Sequence, residues 1–187
     1  MSKHIIMILF LSLFASTLFA QSMPLKFEVG GQISIARFRS SYSGGQYDGY
    51  ETSVGFGGRV GYNINRHFAL ETQLDFSPQA KDRNIQRPLT ELFGIKSGRR
   101  GEKIGLFLKA RPGFYNRREP NSCPTFIILG CPETFSRTDF IIDLGGVVEF
   151  YPSKRTLIRV DIGDALTRIE KNNWHNFQSS IGFGWRF

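Results

Sequence analysis

Apolar and polar residues alternate along most of the chain, most clearly in residues 176–187. One face of this stretch carries Phe177, Ser179, Ile181, Phe183, Trp185 and Phe187, and the other carries Asn176, Gln178, Ser180, Gly182, Gly184 and Arg186. Successive side chains of a β-strand point to opposite sides, so this pattern predicts a strand with one apolar face. The same criterion predicts eight strands, at residues 25–38, 53–64, 68–76, 89–97, 104–114, 140–150, 155–163 and 176–187.

The connections between these strands alternate in length. Polar composition predicts long loops at residues 39–51, 78–87, 116–137 and 164–175, and short turns at residues 65–66, 98–102 and 151–154. An even strand number with this asymmetry is typical of barrels that cross an outer membrane. We therefore predict an all-β fold, an eight-stranded antiparallel up-and-down transmembrane β-barrel, with both termini and the short turns on the periplasmic side.

The first twenty residues have the composition of a secretory signal peptide. Lys3 precedes an apolar core at residues 5–14, and a small residue, Ala20, ends the segment. The alternative is a membrane anchor, which the short core disfavours because a span needs about 20 apolar residues. We expect a signal peptide at residues 1–20, removed on export, and a barrel domain at residues 21–187.

A soluble barrel of the lipocalin type, with its apolar face inside, would show the same alternation. Three features favour the membrane barrel: a nearly charge-balanced polar face, many glycines on that face, and the loop asymmetry together with the final Phe187. A narrow lumen requires its buried charges to be paired. The predicted lumen ion network is Lys26, Glu28, Arg59, Glu71, Asp75, Lys96, Lys109, Arg111, Asp143, Glu149, Arg159, Asp161 and Arg186.

The alternating strands, the signal peptide and the ending Ile181-Gly182-Phe183-Gly184-Trp185-Arg186-Phe187 carry a resemblance. Residues 25–187 resemble the small eight-stranded outer-membrane proteins of the OmpA transmembrane-domain and OmpX type. This implies a barrel in the bacterial outer membrane, in contact with outer-membrane lipids and lipopolysaccharide, and we expect a monomer. It also implies an assembly signal for the barrel assembly machinery at Ile181, Phe183, Trp185 and Phe187.

The formal net charge is +8, and most of the excess falls on the short turns. The turn residues are Arg66, Arg99, Arg100, Lys103, Lys154 and Arg155 against Glu102. Phosphates of inner-leaflet lipids, acidic periplasmic polymers and plain solvation of the turns are all compatible with this surplus. Export to the envelope argues against nucleic acid as a partner.

Both cysteines, Cys123 and Cys131, lie in one predicted loop of an exported protein. A disulfide is the default expectation in that compartment, and it would hold residues 126–129 as an apolar tip. The tip is either a contact patch for a partner or a segment folded onto the barrel mouth. Two cysteines without a neighbouring histidine do not indicate a metal site.

A catalytic site is not indicated by the sequence. The resemblance raises the possibility of lipid A modification, which in that kind of barrel needs a His and a Ser within hydrogen-bond reach. His175 and Ser179 are four residues apart on one face of a strand, about 13 Å, which is too far. We therefore predict no enzyme, no catalytic residues and no cofactor.

Three functions are compatible with this fold. The preferred one is a structural or surface-interaction protein of the cell envelope, with a lumen filled by side chains and with extracellular loops that make the contacts. The alternatives are a narrow pore or ion channel and, less well supported, a lipid A-modifying enzyme. An eight-stranded barrel has an interior just wide enough for its own side chains, which argues against a solute pore.

Overall fold

The computed structural model describes residues 25–41, 48–79, 86–120, 134–169 and 172–187. In this part of the chain, eight antiparallel strands close into one barrel, each pairing with its neighbours in chain order. The strands are β1 (Phe27–Ser41), β2 (Asp48–Asn63), β3 (Phe68–Gln79), β4 (Gln86–Arg100), β5 (Ile104–Pro120), β6 (Thr134–Phe150), β7 (Thr156–Ile169) and β8 (Asn172–Arg186). The described residues contain no helix that is long and apolar enough to cross a membrane.

The barrel closes along a seam between β1 and β8. Their ladder runs from Glu28 opposite Arg186 to Arg37 opposite Phe177. Phe27 and Phe187 extend the seam by exchanging two backbone hydrogen bonds, of 2.9 and 3.0 Å. Closure removes the open sheet edge, which is the condition for a β-structure to lie in hydrocarbon.

The outward face of the barrel is apolar. Leu108 is 74% exposed, Leu106 60% and Ile33 58%. Inward-facing positions on the same strands are buried and mostly polar. The protein is therefore inside out relative to a soluble barrel, so the predicted membrane barrel is confirmed and the lipocalin-type alternative is wrong.

The height of this apolar belt is clearest on the hairpin of β5 and β6. Its inner edge is Ile104 opposite Phe150, and its outer edge is Phe114 opposite Phe140. The rings of Phe114 and Phe140 meet edge to face with their centroids 6.2 Å apart. The stretch from Ile104 to Phe114 matches the roughly 9–11 residues that a tilted strand needs to cross a bilayer.

Beyond the outer edge of the belt, β5 and β6 stay paired as far as Pro120 opposite Thr134. Their outward side chains become polar there: Asn116 donates to Thr138 Oγ1 at 2.8 Å, and Ser136 donates to Asn116 Oδ1 at 3.2 Å. At about 3.3 Å per residue, the hairpin continues for roughly 20 Å of strand beyond the belt.

The strands run further outward than alternation predicts. Residues 164–169 and 172–175, predicted as parts of a loop, belong to β7 and β8, which pair as far as Ile169 opposite Asn172. The other three predicted loops are likewise shortened at both ends by strand residues, and β4 extends beyond the predicted 89–97 at both ends. Backbone pairing continues above the membrane, where both faces meet water and the apolar alternation stops. The predicted difference between long outer loops and short inner turns is thus largely due to strands that extend further at the outer end of the barrel.

Candidate functional site: the barrel interior

Alternation along the strands brings a large set of charged side chains into the lumen. The predicted lumen residues that point inward and are buried are Glu28, Arg59, Glu71, Asp75, Lys96, Lys109, Arg111, Asp143, Glu149, Arg159, Asp161 and Arg186. Lys26 is the exception, because it precedes the first residue of β1 and is exposed at the inner end of the barrel. Its assignment to the lumen network is wrong.

Arg100 replaces Lys26 inside the lumen. The prediction put Arg100 in a turn, but β4 continues to this residue, and the spacing from Lys96 keeps it on the inward face. Its Nη2 donates to Glu28 Oε1 at 3.0 Å and to Asn63 Oδ1 at 2.9 Å. Arg100 is four residues from Lys96, so strand alternation places both side chains on the same face; this spacing could have identified Arg100 from the sequence. The exchange leaves this network with seven cations and all six predicted carboxylates.

The centre of the network is Arg159 of β7, whose side chain is fully buried. Its Nη2 donates to Glu71 Oε2 of β3 at 2.9 Å across the lumen, and Nη1 makes a second, shorter bond to the same carboxylate. On its own strand, Nε donates to Asp161 Oδ2 at 2.6 Å and Nη2 to Oδ1 at 2.8 Å. The two bidentate contacts, with Glu71 and with Asp161, fix the plane of the guanidinium group. The contact with Glu71 joins opposite walls of the barrel.

Lys96 lies among three carboxylates contributed by three strands. Its Nζ is 3.1 Å from Glu71 and 3.5 Å from Glu28, and it is closest to Glu149. Oxygens of these carboxylates lie within 4.8 Å of one another, a spacing that could hold a metal cation. In this arrangement the ammonium group of Lys96 contacts all three carboxylates, and Arg159 and Arg100 add positive charge beside Glu71 and Glu28.

A second cluster lies on β5 and β6. Arg111 Nε donates to Asp143 Oδ2 at 2.8 Å, and Lys109 Nζ is 3.0 Å from the same oxygen. Lys109 also lies 3.4 Å from Asp161, which links this cluster to Arg159. The lumen charges therefore form one connected network rather than isolated pairs.

Asp75 departs from this pattern. Among the described residues, no Lys or Arg nitrogen lies within 4.0 Å of its carboxylate. Two glutamine amides hold it instead: Gln32 Nε2 donates to Oδ1 at 2.9 Å and Gln73 Nε2 to Oδ2 at 2.5 Å. Each glutamine in turn accepts from an arginine, Gln32 from Arg59 at 3.3 Å and Gln73 from Arg111 at 2.5 Å. The amides pass polarisation from the arginines to Asp75 without direct contact.

Gly57 makes room for the Asp75 carboxylate. A Cβ at position 57 would collide with Asp75 Oδ1 and with the backbone oxygen of Leu74. Gly57 thus allows both a charged side chain and the backbone of the neighbouring strand to approach closely.

The inner end of the lumen is closed by Tyr151, from the turn between β6 and β7. Its hydroxyl donates to Glu149 Oε2 at 2.6 Å and accepts from Arg100 Nε at 3.0 Å. Burial raises the pKa of the Tyr151 hydroxyl above its ordinary value, so it stays protonated and remains a donor. The Arg186 guanidinium lies 4.3 Å from the Tyr151 ring centroid, and its Nη2 donates to the Lys154 backbone oxygen at 2.7 Å.

Arg186 is therefore inside, as predicted, but it has a different kind of partner. Within the described part of the chain, no carboxylate lies within 4.0 Å of its guanidinium nitrogens. A ring face and a backbone carbonyl take the place of an ion pair. Neither Tyr151 nor Asn63 was predicted: Tyr151 lies in a predicted turn, where alternation does not apply, and Asn63 falls on the polar face of the predicted strand 53–64 but carries no charge.

The outer half of the lumen holds an apolar patch. Leu92, Tyr115, Ile141 and Ala165, from four adjacent strands, pack together at 1–2% exposure. These residues fall on the otherwise polar face in the sequence. With the charge network below them, they fill the β4–β7 side of the interior.

The remaining predicted sites lie elsewhere. His175 Nδ1 is 2.5 Å from Asp164 Oδ2 on the outward face, and its contacts in the structure are with that carboxylate and not with Ser179. The assembly-signal residues Ile181, Phe183, Trp185 and Phe187 are all exposed on the outward face. The predicted disulfide Cys123–Cys131 and the signal peptide lie outside the described residues.

Comparison with known proteins places this architecture. Residues 6–187 match the family described as outer membrane protein beta-barrel domain. No curated protein matches the chain.

Several solved structures are similar to the fold. Neisserial surface protein A has a TM-score of 0.58 at 16% identity, covering 86% of this chain and 97% of that one. The N-terminal barrel domain of Pseudomonas aeruginosa OprF has a TM-score of 0.55 at 11% identity, covering 89% and 100%. Ail, the attachment invasion locus protein of Yersinia pestis, has a TM-score of 0.51 at 15% identity, covering 87% and 99%. The chain belongs to the outer membrane protein beta-barrel family and is an eight-stranded barrel of the bacterial outer membrane.

Proposed function

We propose that this protein is a barrel closed to solutes, which acts as a structural and surface-interaction protein of the cell envelope rather than as a channel or an enzyme. The observation that carries the proposal is the network around Arg159 and Lys96. Both side chains are fully buried, and both pair with Glu71, Lys96 from the neighbouring strand β4 and Arg159 from the opposite wall. A path through the barrel would have to cross this layer.

Opening the layer is costly. Separating one partner of a buried ion pair leaves an uncompensated charge, at a cost of about 3–5 kcal/mol. Tyr151 and Arg186 cover the inner end of the same layer, so a solute would have to displace them as well. These contacts support the closed barrel over the narrow-pore alternative.

The outer end supports a role in surface contact. The paired extension of β5 and β6 beyond the belt presents outward polar groups such as Asn116 and Thr138. One of the similar structures is named a surface protein, and Ail is an attachment protein that has also been solved with a heparin analogue, sucrose octasulfate. We infer that the outer connections, residues 121–133 foremost, carry the contact.

Conductance in planar bilayers tests the closed barrel. We expect the refolded protein to insert without stable conductance steps, and the lipid-facing variant Leu108→Ala to behave alike. An Arg159→Met variant that still migrates as a folded barrel should show leakage, because it removes the central cation. Stable nanosiemens steps in the unaltered protein would refute the proposal.

Binding to immobilised heparin tests the surface role. We expect cells that display the protein to be retained, and retention to fall when residues 121–133 are replaced by a Gly/Ser segment of equal length. Heat-modifiable migration on a denaturing gel verifies that the replacement still forms a barrel. Equal retention of both proteins would exclude this connection as the contact.

A further inference from the structure

The inner rim of the barrel carries a continuous arc of exposed cations. We define the inner rim as residues 25–26, 64–67, 99, 101–103 and 151–155. Its exposed cations are Lys26, Arg99, Lys103, Lys154 and Arg155, and the exposed acidic residue on the same rim is Glu102. We propose that this arc is a binding surface for anionic phospholipid headgroups of the inner leaflet.

The fold joins these cations along neighbouring segments. The Lys103 backbone oxygen accepts from Tyr151 N at 2.8 Å, which ties the β4–β5 turn to the β6–β7 turn. The Arg155 backbone oxygen accepts from Arg186 N at 2.6 Å, which ties the second turn to β8. The Phe27–Phe187 bonds then bring in the residue before β1, Lys26. The positive charge thus follows the barrel wall from β4 round to β1.

The depth of these residues points to lipid rather than to a polymer in the periplasm. Arg99 lies on the outward face of β4, the face of Phe93 and Ile95, and its cross-strand partner is Leu106, which is 60% exposed. It is four residues beyond Ile95, about 13 Å along a tilted strand. Its pairing with Leu106, two residues inside the inner edge at Ile104, places its backbone at the inner margin of the belt, from which its long side chain can extend to the headgroup layer.

The β6–β7 turn lies at a similar depth. Arg155 directly precedes Thr156, whose cross-strand partner Trp185 is 45% exposed on the lipid side. Aromatic side chains of this kind mark the interface between hydrocarbon and headgroups. Cations within one or two residues of that interface attract an anionic leaflet strongly, because the attraction falls off within a Debye length.

Trp185 supplies a reporter for the proposal. The chain contains two tryptophans, and the other is Trp174, near the outer end of β8. In a Trp174→Phe background, Trp185 fluorescence reports on lipid next to Lys154 and Arg155. The barrel would be refolded into phosphatidylcholine vesicles containing either brominated phosphatidylglycerol or brominated phosphatidylcholine, whose bromines quench tryptophan.

We expect brominated phosphatidylglycerol to quench Trp185 at several-fold lower mole fraction than brominated phosphatidylcholine. The double variant Lys154→Gln/Arg155→Gln should lower this selectivity by about five-fold or more, since each basic residue near an anionic surface contributes about five-fold. Raising the salt concentration should lower it as well. Arg37→Gln, which removes one charge from the outer end of β1, should leave it unchanged.

Heat-modifiable migration verifies that each variant is folded, and the single variant Arg155→Gln, next to the strand that pairs with Trp185, serves as the second variant if the double variant does not fold. Equal quenching by the two lipids, or a selectivity that the rim variants do not change, would overturn the proposal. Retention on peptidoglycan sacculi that depends on Lys154 and Arg155, without lipid selectivity, would assign the rim to a periplasmic polymer and would overturn it too.

Discussion

The two faces of β5 place one strand in two opposite environments. Leu108 is 74% exposed toward lipid, whereas Lys109 beside it is 4% exposed in the lumen and Arg111 is fully buried. On the outward face, a side chain meets lipid tails that are all alike, so only its polarity and its depth matter. On the inward face, each charged group has a particular partner on another strand. The residues suited to the outward face therefore depend on their position along the strand. The residues suited to the inward face depend on their partners across the lumen.

The largest effect is expected where a lumen pairing is broken. Arg159→Met removes the cation shared by Glu71 and Asp161, and we expect the free energy of unfolding to fall by about 3–5 kcal/mol. Equilibrium unfolding in urea, followed by the shift in gel migration, measures the loss. Glu71→Gln combined with Arg159→Met should lose less than the sum of the two single variants, because the partners depend on each other. Strictly additive losses would contradict the pairing described here.

A charge introduced on the outward face should lower the free energy of unfolding by an amount that depends on its depth in the membrane. Leu108 lies near the middle of the belt, so Leu108→Arg is expected to lower the free energy of unfolding by about 2–4 kcal/mol. Ile104→Arg, on the same face of the same strand but at the inner edge, should cost about 0–1 kcal/mol. Unfolding in lipid vesicles measures both. Equal losses at the two positions would mean that depth does not govern this face.

A smaller loss than for Arg159→Met or Leu108→Arg is expected at the inner closure of the lumen. Tyr151→Phe keeps the ring beneath Arg186 but removes the donor to Glu149, and we expect a loss of about 1–2 kcal/mol. Tyr62→Phe, on the lipid side at 38% exposure, should change stability by less than about 0.5 kcal/mol. The same urea titration serves for both. A larger loss of unfolding free energy for Tyr62→Phe than for Tyr151→Phe would contradict the idea that specific pairing matters inside the barrel and not on its lipid side.

This distinction explains which features can be predicted from the sequence. Side-chain direction alternates locally, so the sequence predicts that Glu71 and Arg159 point inward even though they are 88 positions apart in the sequence. Which of the buried charges meet depends on how eight strands are staggered around the barrel, and no local pattern contains that information. The glutamine contacts of Asp75 could not be predicted for this reason.

Strand ends are the second point at which prediction fails. Lys26 was predicted inside the lumen and is exposed, whereas Arg100 was predicted in an exposed turn and lies inside the lumen. At the end of a strand, a shift of one or two residues decides whether a cation faces solvent or the lumen. Tyr151 belongs to a turn, and its entry into the lumen follows from the path of that turn. Above the belt both faces of the strands are polar, so alternation could not show how far β7 and β8 continue.

The seam has a consequence for the timing of folding. The first strand can pair on one side as soon as β2 follows it, but its other edge waits for β8, the last of the eight strands to be synthesised and exported. Until then, any partly paired sheet would have two unpaired edges with which other chains could pair. The contacts that close the ring are also the longest in sequence separation, which slows their formation. This interval is when the chain most needs a chaperone, and it ends when Phe27 and Phe187 meet.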